Sequence, residues 1–273
     1  MTSMEISSSY PSFSGSIPEH YDKYSGPVFF EPYAIEVSML IDPSLLRVVL
    51  ELGCGTGRVT RHLRSIIPAT GRIIASDISE DMLVVAKEKL KKLDIDWQII
   101  DARELPFNDN SIDLVVCCFG YMFVPDKLKA FAEAFRVLRP GGMLIFTTWD
   151  KLELNGASQV YRKTIKEYLK DALPESYNLP FSFNDPAIIK ELLSGACFST
   201  TIIESVEKMS VSPSSKEAAK GLTQGGSLYN EIMKRNPAWL PEITATVERK
   251  LTEKYGAEPM AAPMKALICR AWK

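Results

Sequence analysis

Five residues, Gly53-Cys54-Gly55-Thr56-Gly57, constrain this chain more than any others. Glycines at alternate positions let a backbone turn sharply and approach a bound group with no side chain in between. The apolar run Arg47-Val48-Val49-Leu50-Glu51 leads directly into the turn. Val59, Leu63, Ile66 and Ile67 follow at helical spacing until Pro68. A buried strand, a tight glycine turn and a helix in that order aim the positive end of the helix dipole at whatever lies beyond the strand.

The same rhythm continues. Arg72–Ser76 predicts a second strand ending at Asp77, and Ser79 is placed to cap a helix whose Met82, Leu83, Ala86, Leu90 and Leu93 share one face. Ile95–Ile100 and Ile112–Cys117 predict two more strands. Pro125-Asp126 opens a helix with the apolar stripe Leu128, Phe131, Phe135 and Leu138, stopped by Pro140-Gly141-Gly142 before a fifth strand, Met143–Thr148. Most of these strands are apolar on both faces, the pattern of a parallel sheet covered on both sides. Right-handed crossovers make it a doubly wound α/β fold. Beyond Asp150 the pattern predicts helices at 158–169 and 186–193, a strand at Thr200–Val211, a mostly helical insertion at 213–256 and a last strand at Met264–Trp272.

The N-terminus reads differently. Residues 1–16, rich in Ser and Pro, are expected to be a flexible tail, and residues 17–273 one domain. Within it, 17–40 is a helical flap of two short helices broken at Gly26-Pro27 and crowded with aromatics, among them Tyr21, Tyr24 and Phe29. It is too short to form a core of its own, so those rings cover either the domain surface or a ligand.

Composition excludes several classes. A formal net charge of −2 gives no general attraction for nucleic acid. The five cysteines show no C-x-x-C spacing and His20 and His62 are the only histidines, so no metal site is expected. There is no apolar run of roughly 18 residues to span a membrane and no basic-then-apolar leader pattern, so a cytoplasmic location is expected. Monomer and homodimer both remain open.

The acids that end the strands narrow the ligand. The dinucleotide fingerprint G-x-G-x-x-G would place its third glycine at position 58, which is Arg58. Glu51 beside the turn is unfavourable for a pyrophosphate and favourable for an ammonium group. Both points argue against a nicotinamide-dependent oxidoreductase. Asp77 either accepts hydrogen bonds from ribose hydroxyls or caps the next helix. Asp101, followed by Ala102, either takes an adenine amino group or is an ordinary loop acid.

Taken together, Glu51-Leu52-Gly53-Cys54-Gly55-Thr56-Gly57, Ser76-Asp77-Ile78-Ser79, Asp101-Ala102, Asp113-Leu114-Val115-Val116 and Leu138-Arg139-Pro140-Gly141-Gly142 make residues 47–150 resemble the class I S-adenosylmethionine-dependent methyltransferases. Tyr21-Asp22-Lys23-Tyr24 and Phe29-Phe30-Glu31-Pro32-Tyr33 resemble the methyltransferase type 11 group, akin to ubiquinone/menaquinone biosynthesis enzymes. The resemblance implies a Rossmann-like sheet of seven strands in the order 3-2-1-4-5-7-6, the last antiparallel, with S-adenosyl-L-methionine as cofactor. It implies that Gly53, Cys54, Gly55 and Gly57 wall the methionine end and that Glu51 holds its amino group. Asp77 would take the ribose, Ile78 and Met82 the adenine faces, Asp101 and Ala102 its edge, and Cys118 and Phe119 the sulfur side.

The expected activity is in-line methyl transfer to a small, partly apolar molecule. Tyr121 and Trp149 either line the acceptor pocket or belong to the core. Tyr21, Tyr24 and Phe29 are lid candidates that could face the sulfonium. No residue is assigned as a base: His20, His62 and Asp126 lack a geometric warrant. A non-catalytic sensor or partner-binding module that holds the same cofactor is the alternative.

Overall fold

In the computed structural model, which describes residues 10–44, 46–170 and 173–273, the apolar runs form a seven-stranded sheet in the order β3-β2-β1-β4-β5-β7-β6. The strands are β1 (Val48–Leu52), β2 (Arg72–Asp77), β3 (Asp96–Ile99), β4 (Ile112–Cys118), β5 (Leu138–Trp149), β6 (Thr200–Ser212) and β7 (Met260–Trp272). The first five run parallel, and β7 is antiparallel to both β5 and β6. This is the order the resemblance implied.

Alternate residues of the central strands feed two apolar layers. Leu50, Ile74, Val115 and Phe146 join one, and Val49, Ile73, Leu114, Val116 and Ile145 join the other. The second layer is closed by α2 (Glu31–Met39) through Ala34 and Val37, and by α3 (Arg58–Ile66) through Val59 and Leu63. The first is closed in part by α5 (Lys127–Val137). The remaining helices are α1 (Ile17–His20), α4 (Glu80–Lys89), α6 (Gly156–Leu169), α7 (Pro186–Gly195), α8 (Ser215–Gln224), α9 (Leu228–Arg235) and α10 (Trp239–Tyr255).

Three local expectations change. The α5 face toward the sheet is Ala130, Phe131, Ala134 and Val137, whereas Leu128 is 44% exposed. The two alanines let this helix lie close, and Leu128 falls outside the contact. Leu93 is 37% exposed, because α4 ends at Lys89 and leaves only Leu90 as its buried cap. The flap is one continuous helical run rather than two helices. Between α1 and α2 the residues Tyr21–Phe30 form a π-helix with Pro27 inside it. In an α-helix the proline ring would strike the carbonyl four residues back. The wider turn avoids this, and the Glu31 amide bonds to the Gly26 carbonyl five residues back.

The flap is fixed to the domain by charge and by one phenol. The Tyr33 side chain is fully buried, its hydroxyl 3.1 Å from the Val206 carbonyl and 3.2 Å from that of Met264. Glu31 accepts from Arg58 at 2.7 Å, from His62 at 2.8 Å and from Arg61, all on α3. The Arg58 guanidinium fills the space beside Gly26, where a Cβ would come within 2.4 Å of Nη2.

Burial alone would raise the Glu31 carboxyl, but the hydrogen bonds from Arg58 and His62 and the charge of Arg61 hold it down from 4.5 to about 2. A depressed carboxyl stabilises the fold above its unfolded value and loses that contribution as pH falls toward its folded value. The flap anchorage is therefore expected to weaken from about pH 4.5 toward pH 2. Replacing Glu31 by Gln should cost about 1–2 kcal/mol at neutral pH, discounted for its partial exposure. It should also flatten the acid limb of stability measured by denaturant unfolding against pH. Parallel acid limbs in the two proteins would refute this role.

Candidate active site

The glycine turn takes left-handed backbone at Gly53, Gly55 and Gly57, with φ of 64°, 54° and 79°. Two of these face a cavity and one does not. A Cβ on Gly55 would project into open space, its nearest neighbour Tyr21 Cε1 at 3.9 Å. A Cβ on Gly57 would stand 2.7 Å from Leu90 Cδ1 and 3.4 Å from Ala86 Cβ, so this glycine brings the turn against α4.

Asp77 locks the turn in place. Its carboxylate accepts from the Gly55 amide and from the Ser79 amide, each at 2.8 Å. The helix cap itself is Ser79, whose hydroxyl accepts from the Met82 amide at 3.3 Å. Burial pushes the Asp77 carboxyl up, and those backbone amides oppose the shift. Glu51 lies behind the turn, 2% exposed, and accepts from the Thr60 hydroxyl at 2.6 Å. Burial, with the charge of Asp77 adding to it, pushes its carboxyl up to about 8.

A cavity of about 240 Å³ opens at the carboxyl ends of the strands, the position where doubly wound sheets bind ligands. Gly53, Gly55, Asp77, Ile78, Met82, Ala102, Cys118 and Phe119 line it, as do Tyr21, Phe29 and Trp149. Phe119 has a φ of 57°, unusual for an aromatic residue. Its ring stacks on Trp149 at 4.3 Å and meets Phe30 edge-on at 5.2 Å.

Other expected residues lie elsewhere. Tyr121 is fully buried between Phe131 and Phe146, with centroids at 4.7 and 5.3 Å. Tyr24 sits between the ammonium groups of Lys23 and Lys220, at 5.1 and 5.7 Å. Cys54 packs with Ala75 and Leu83 behind the turn. The Asp101 carboxylate accepts from the Tyr10 hydroxyl at 2.7 Å and from Arg103 at 2.7 Å. His62 belongs to the Glu31 cluster, the His20 ring meets the Ser16 carbonyl at 2.8 Å, and Asp126 caps α5. Among the described residues no group of three or more His, Cys, Asp or Glu could hold a metal ion, and no helix is long and apolar enough to cross a membrane.

The wall also holds residues that the sequence reading passed over. Of the segment read as a tail, residues 1–9 lie outside the described residues, but Tyr10, Pro11 and Phe13 line the cavity. Gly15 donates to Asp81 at 3.0 Å and Ser79 donates to the Phe13 carbonyl at 3.2 Å. Tyr161, Arg162, Phe181 and Leu222 line the side beyond β5. The one signal for Arg162 was its place in the stripe Ser158, Tyr161, Arg162, Ile165 and Leu169, a charge on an otherwise apolar helix face.

The methyltransferase domain family matches residues 50–146, which span the glycine turn and strands β1 to β5. Over that span the chain is similar to methyltransferase domains. The chain is 40% identical over 117 residues to the ubiquinone/menaquinone biosynthesis C-methyltransferase UbiE of Pseudoalteromonas translucida, covering 41% of this chain and 47% of that protein. It spans about half the length of the curated relatives it matches. Among solved structures it is similar to phosphoethanolamine N-methyltransferase 2 of Haemonchus contortus in complex with S-adenosyl-L-methionine, with a TM-score of 0.56, 17% identity and coverage of 100% and 57%. It is also similar to the [4+2]-cyclase SpnF, with a TM-score of 0.54, 20% identity and coverage of 89% and 80%. At these identities the solved structures establish the fold.

The residues present would suit S-adenosylmethionine, which is bound in the phosphoethanolamine N-methyltransferase structure. The open space over Gly55 is a cradle that any Cβ would fill, an acid ends β2 beside it, and a second acid stands behind the turn. In the free protein, Glu51 is largely protonated at neutral pH. A ligand ammonium drawn toward it favours the ionised form and expels the proton. S-adenosylhomocysteine is therefore expected to release up to one proton on binding at pH 7, with affinity rising up to about tenfold per pH unit below pH 8. Calorimetry in buffers of different ionisation enthalpy measures this. Glu51→Gln should abolish the release, and a buffer-independent enthalpy in the unmodified protein would sink the idea.

Proposed function

We propose that this chain transfers the methyl group of S-adenosylmethionine to a small, largely apolar acceptor, and that it does so in the cytoplasm, where its five free thiols fit a reducing compartment. One observation carries the reading. The glycine turn and the aromatic wall of Phe119, Trp149 and Phe181 line one continuous cavity, so an acceptor ring would lie against the cofactor.

The roles follow from position. Gly53 and Gly55 would pass under the methionine end. Asp77 keeps acceptor capacity for ribose hydroxyls after bonding the Gly55 and Ser79 amides. Ile78 and Met82 would flank the adenine, with Ala102 and the Asp101 loop at its edge. When bound, the cofactor supplies an electrophilic methyl group on a sulfonium. The chain aligns the partners and excludes water. The rings of Tyr21 and Phe30, 5.0 Å apart, offer faces to a cation.

The flap and the insertion face one another across the mouth. Ser25 in the π-helix donates to the Gly221 carbonyl of α8 at 2.8 Å, and Tyr21, Phe29, Leu222 and Leu228 line the same opening. They would act as a lid. Binding of S-adenosylhomocysteine should slow hydrogen exchange in both 17–40 and 213–256. Protection confined to the glycine turn would remove the lid from the account.

Among the described residues the cavity wall carries no histidine. An acceptor that arrives nucleophilic, as an electron-rich ring or a phenolate does, needs no base from that wall. The carbon-methylating relatives fit an acceptor of quinone-like ring chemistry. The same lack of histidine favours, as a second reading, a module that binds the cofactor without transferring its methyl group.

Incubation with S-adenosylmethionine and a panel of quinols, phenols and amines separates the two readings by product mass. Gly55→Val is expected to fold with a loss of about 1–2 kcal/mol from its left-handed backbone and to lose S-adenosylhomocysteine binding altogether. Unchanged affinity in that variant would refute the site.

A further inference from the structure

Arg162 on α6 lines the cavity, yet it is only 6% exposed. Its guanidinium lies against the rings of Tyr177 and Phe181, at 5.0 and 5.1 Å from their centroids. Among the described residues it has no ion-pair partner, and its Nη1 is buried without a hydrogen bond. The neighbouring Tyr161 hydroxyl, on the same wall, is buried without a partner too. The contrast with Arg58 is direct: that buried arginine pairs with Asp22 and Glu31.

A buried, unpaired cation is costly. The two rings offset part of that cost but leave the Nη1 donor unused. Burial lowers the Arg162 pKa, and a guanidinium remains charged at neutral pH nonetheless. The free protein therefore holds one positive charge and two unused donors on residues that line its cavity.

We propose that Arg162 and Tyr161 bind a carboxylate carried by the methyl acceptor, whose ring lies along Trp149 and Phe181. This rests on the methyltransferase reading above. The planar guanidinium fork matches a carboxylate better than any neutral oxygen. A single arginine balances one negative charge. Phe181 and Trp149 lie in a parallel arrangement, 6.3 Å apart and inclined by 29°, which suits a flat apolar body beside that charge.

The cofactor has a carboxylate of its own, so place in the fold decides between the two. Its methionine end belongs at the turn after β1. Arg162 comes from the helix after β5, and β4 stands between β1 and β5. That is the acceptor side.

The test uses 2-naphthoate and its neutral amide, 2-naphthamide, as probes, titrated by calorimetry into the protein with and without S-adenosylhomocysteine. The unmodified protein should bind the acid at least about tenfold more tightly than the amide, the value of a charge-assisted hydrogen bond. Arg162→Met should bring that ratio to about one, the effect expected for loss of this bond. Arg162→Lys should keep part of it. Affinity for S-adenosylhomocysteine should stay within about twofold in both variants, because this contact is not part of its site.

The melting temperature of Arg162→Met should not fall, since the change removes an unpaired buried charge. If this variant fails to fold, the lysine variant still reads the ratio. Equal binding of acid and amide by the unmodified protein, or a preference that survives Arg162→Met, overturns the proposal. A parallel loss of S-adenosylhomocysteine affinity assigns Arg162 to the cofactor and also overturns it. Should S-adenosylhomocysteine fail to bind the unmodified protein, the methyltransferase reading falls, while the acid–amide comparison is still read on the free protein.

Discussion

The hydrogen bond from the Gly55 amide to the Asp77 carboxylate ties the turn after β1 to the end of β2. The Cys54 amide adds a second tie to the Ser76 carbonyl at 2.9 Å. Together they set where α3 begins, because Gly57 is the last residue before it. The direction of α3 then decides where Arg58, Arg61 and His62 stand, and those three hold Glu31 and the flap. Cofactor cradle and cavity cover thus share one mechanical origin at the ends of two adjacent parallel strands. A change that loosens the turn disturbs the cover as well, even though Asp77 and Glu31 do not touch.

Charge is distributed unevenly along the cavity. Asp77 lines its β1–β2 end, with the Glu51 carboxyl behind the turn, and the buried cation Arg162 stands at the α6 end. Phe119 sits between these ends with left-handed backbone. Its amide lies 3.0 Å from the Thr147 carbonyl and 3.1 Å from the Thr147 hydroxyl, which helps to hold this sparsely populated conformation. The ring is thereby fixed against Trp149 at the middle of the cavity.

Much of this was readable from residue pattern alone. Parallel strands buried on both faces leave continuous apolar runs, and glycines mark where they end, so the alternation of β1 to β5 was visible. The flap was not. Gly26-Pro27 reads as a break by the rules of an α-helix, whereas a π-turn accepts the proline and Arg58 occupies the space beside the glycine. Orientation within the turn was also hidden: a spacing of two shows that Gly53, Gly55 and Gly57 are close, not that the third faces α4. Tyr10 and Phe13 were lost in a Ser- and Pro-rich segment whose order depends on Asp101 and Ser79, residues far along the chain. Tyr121 was left open between pocket and core, and the fold places it in the core. An aromatic run after a strand serves core and pocket equally, and only the fold divides it.

The long β6–β7 ladder has a consequence for how such a domain can change. Its last paired residues are Ser212 and Met260, and everything between them leaves the sheet and returns to the same spot. The ends of this excursion are fixed side by side by the strands, so its closure entropy varies only slowly with its length. Helices α8, α9 and α10 form this excursion, and their buried Ala218, Ile232, Val247 and Leu251 join the core cluster that includes Phe146 and Met264 of the sheet. The glycine turn lies on the far side of β5 and β4 from that junction. The proposed acceptor contacts at Arg162 and Phe181 lie outside this excursion, whose own share of the cavity wall includes Leu222 and Leu228.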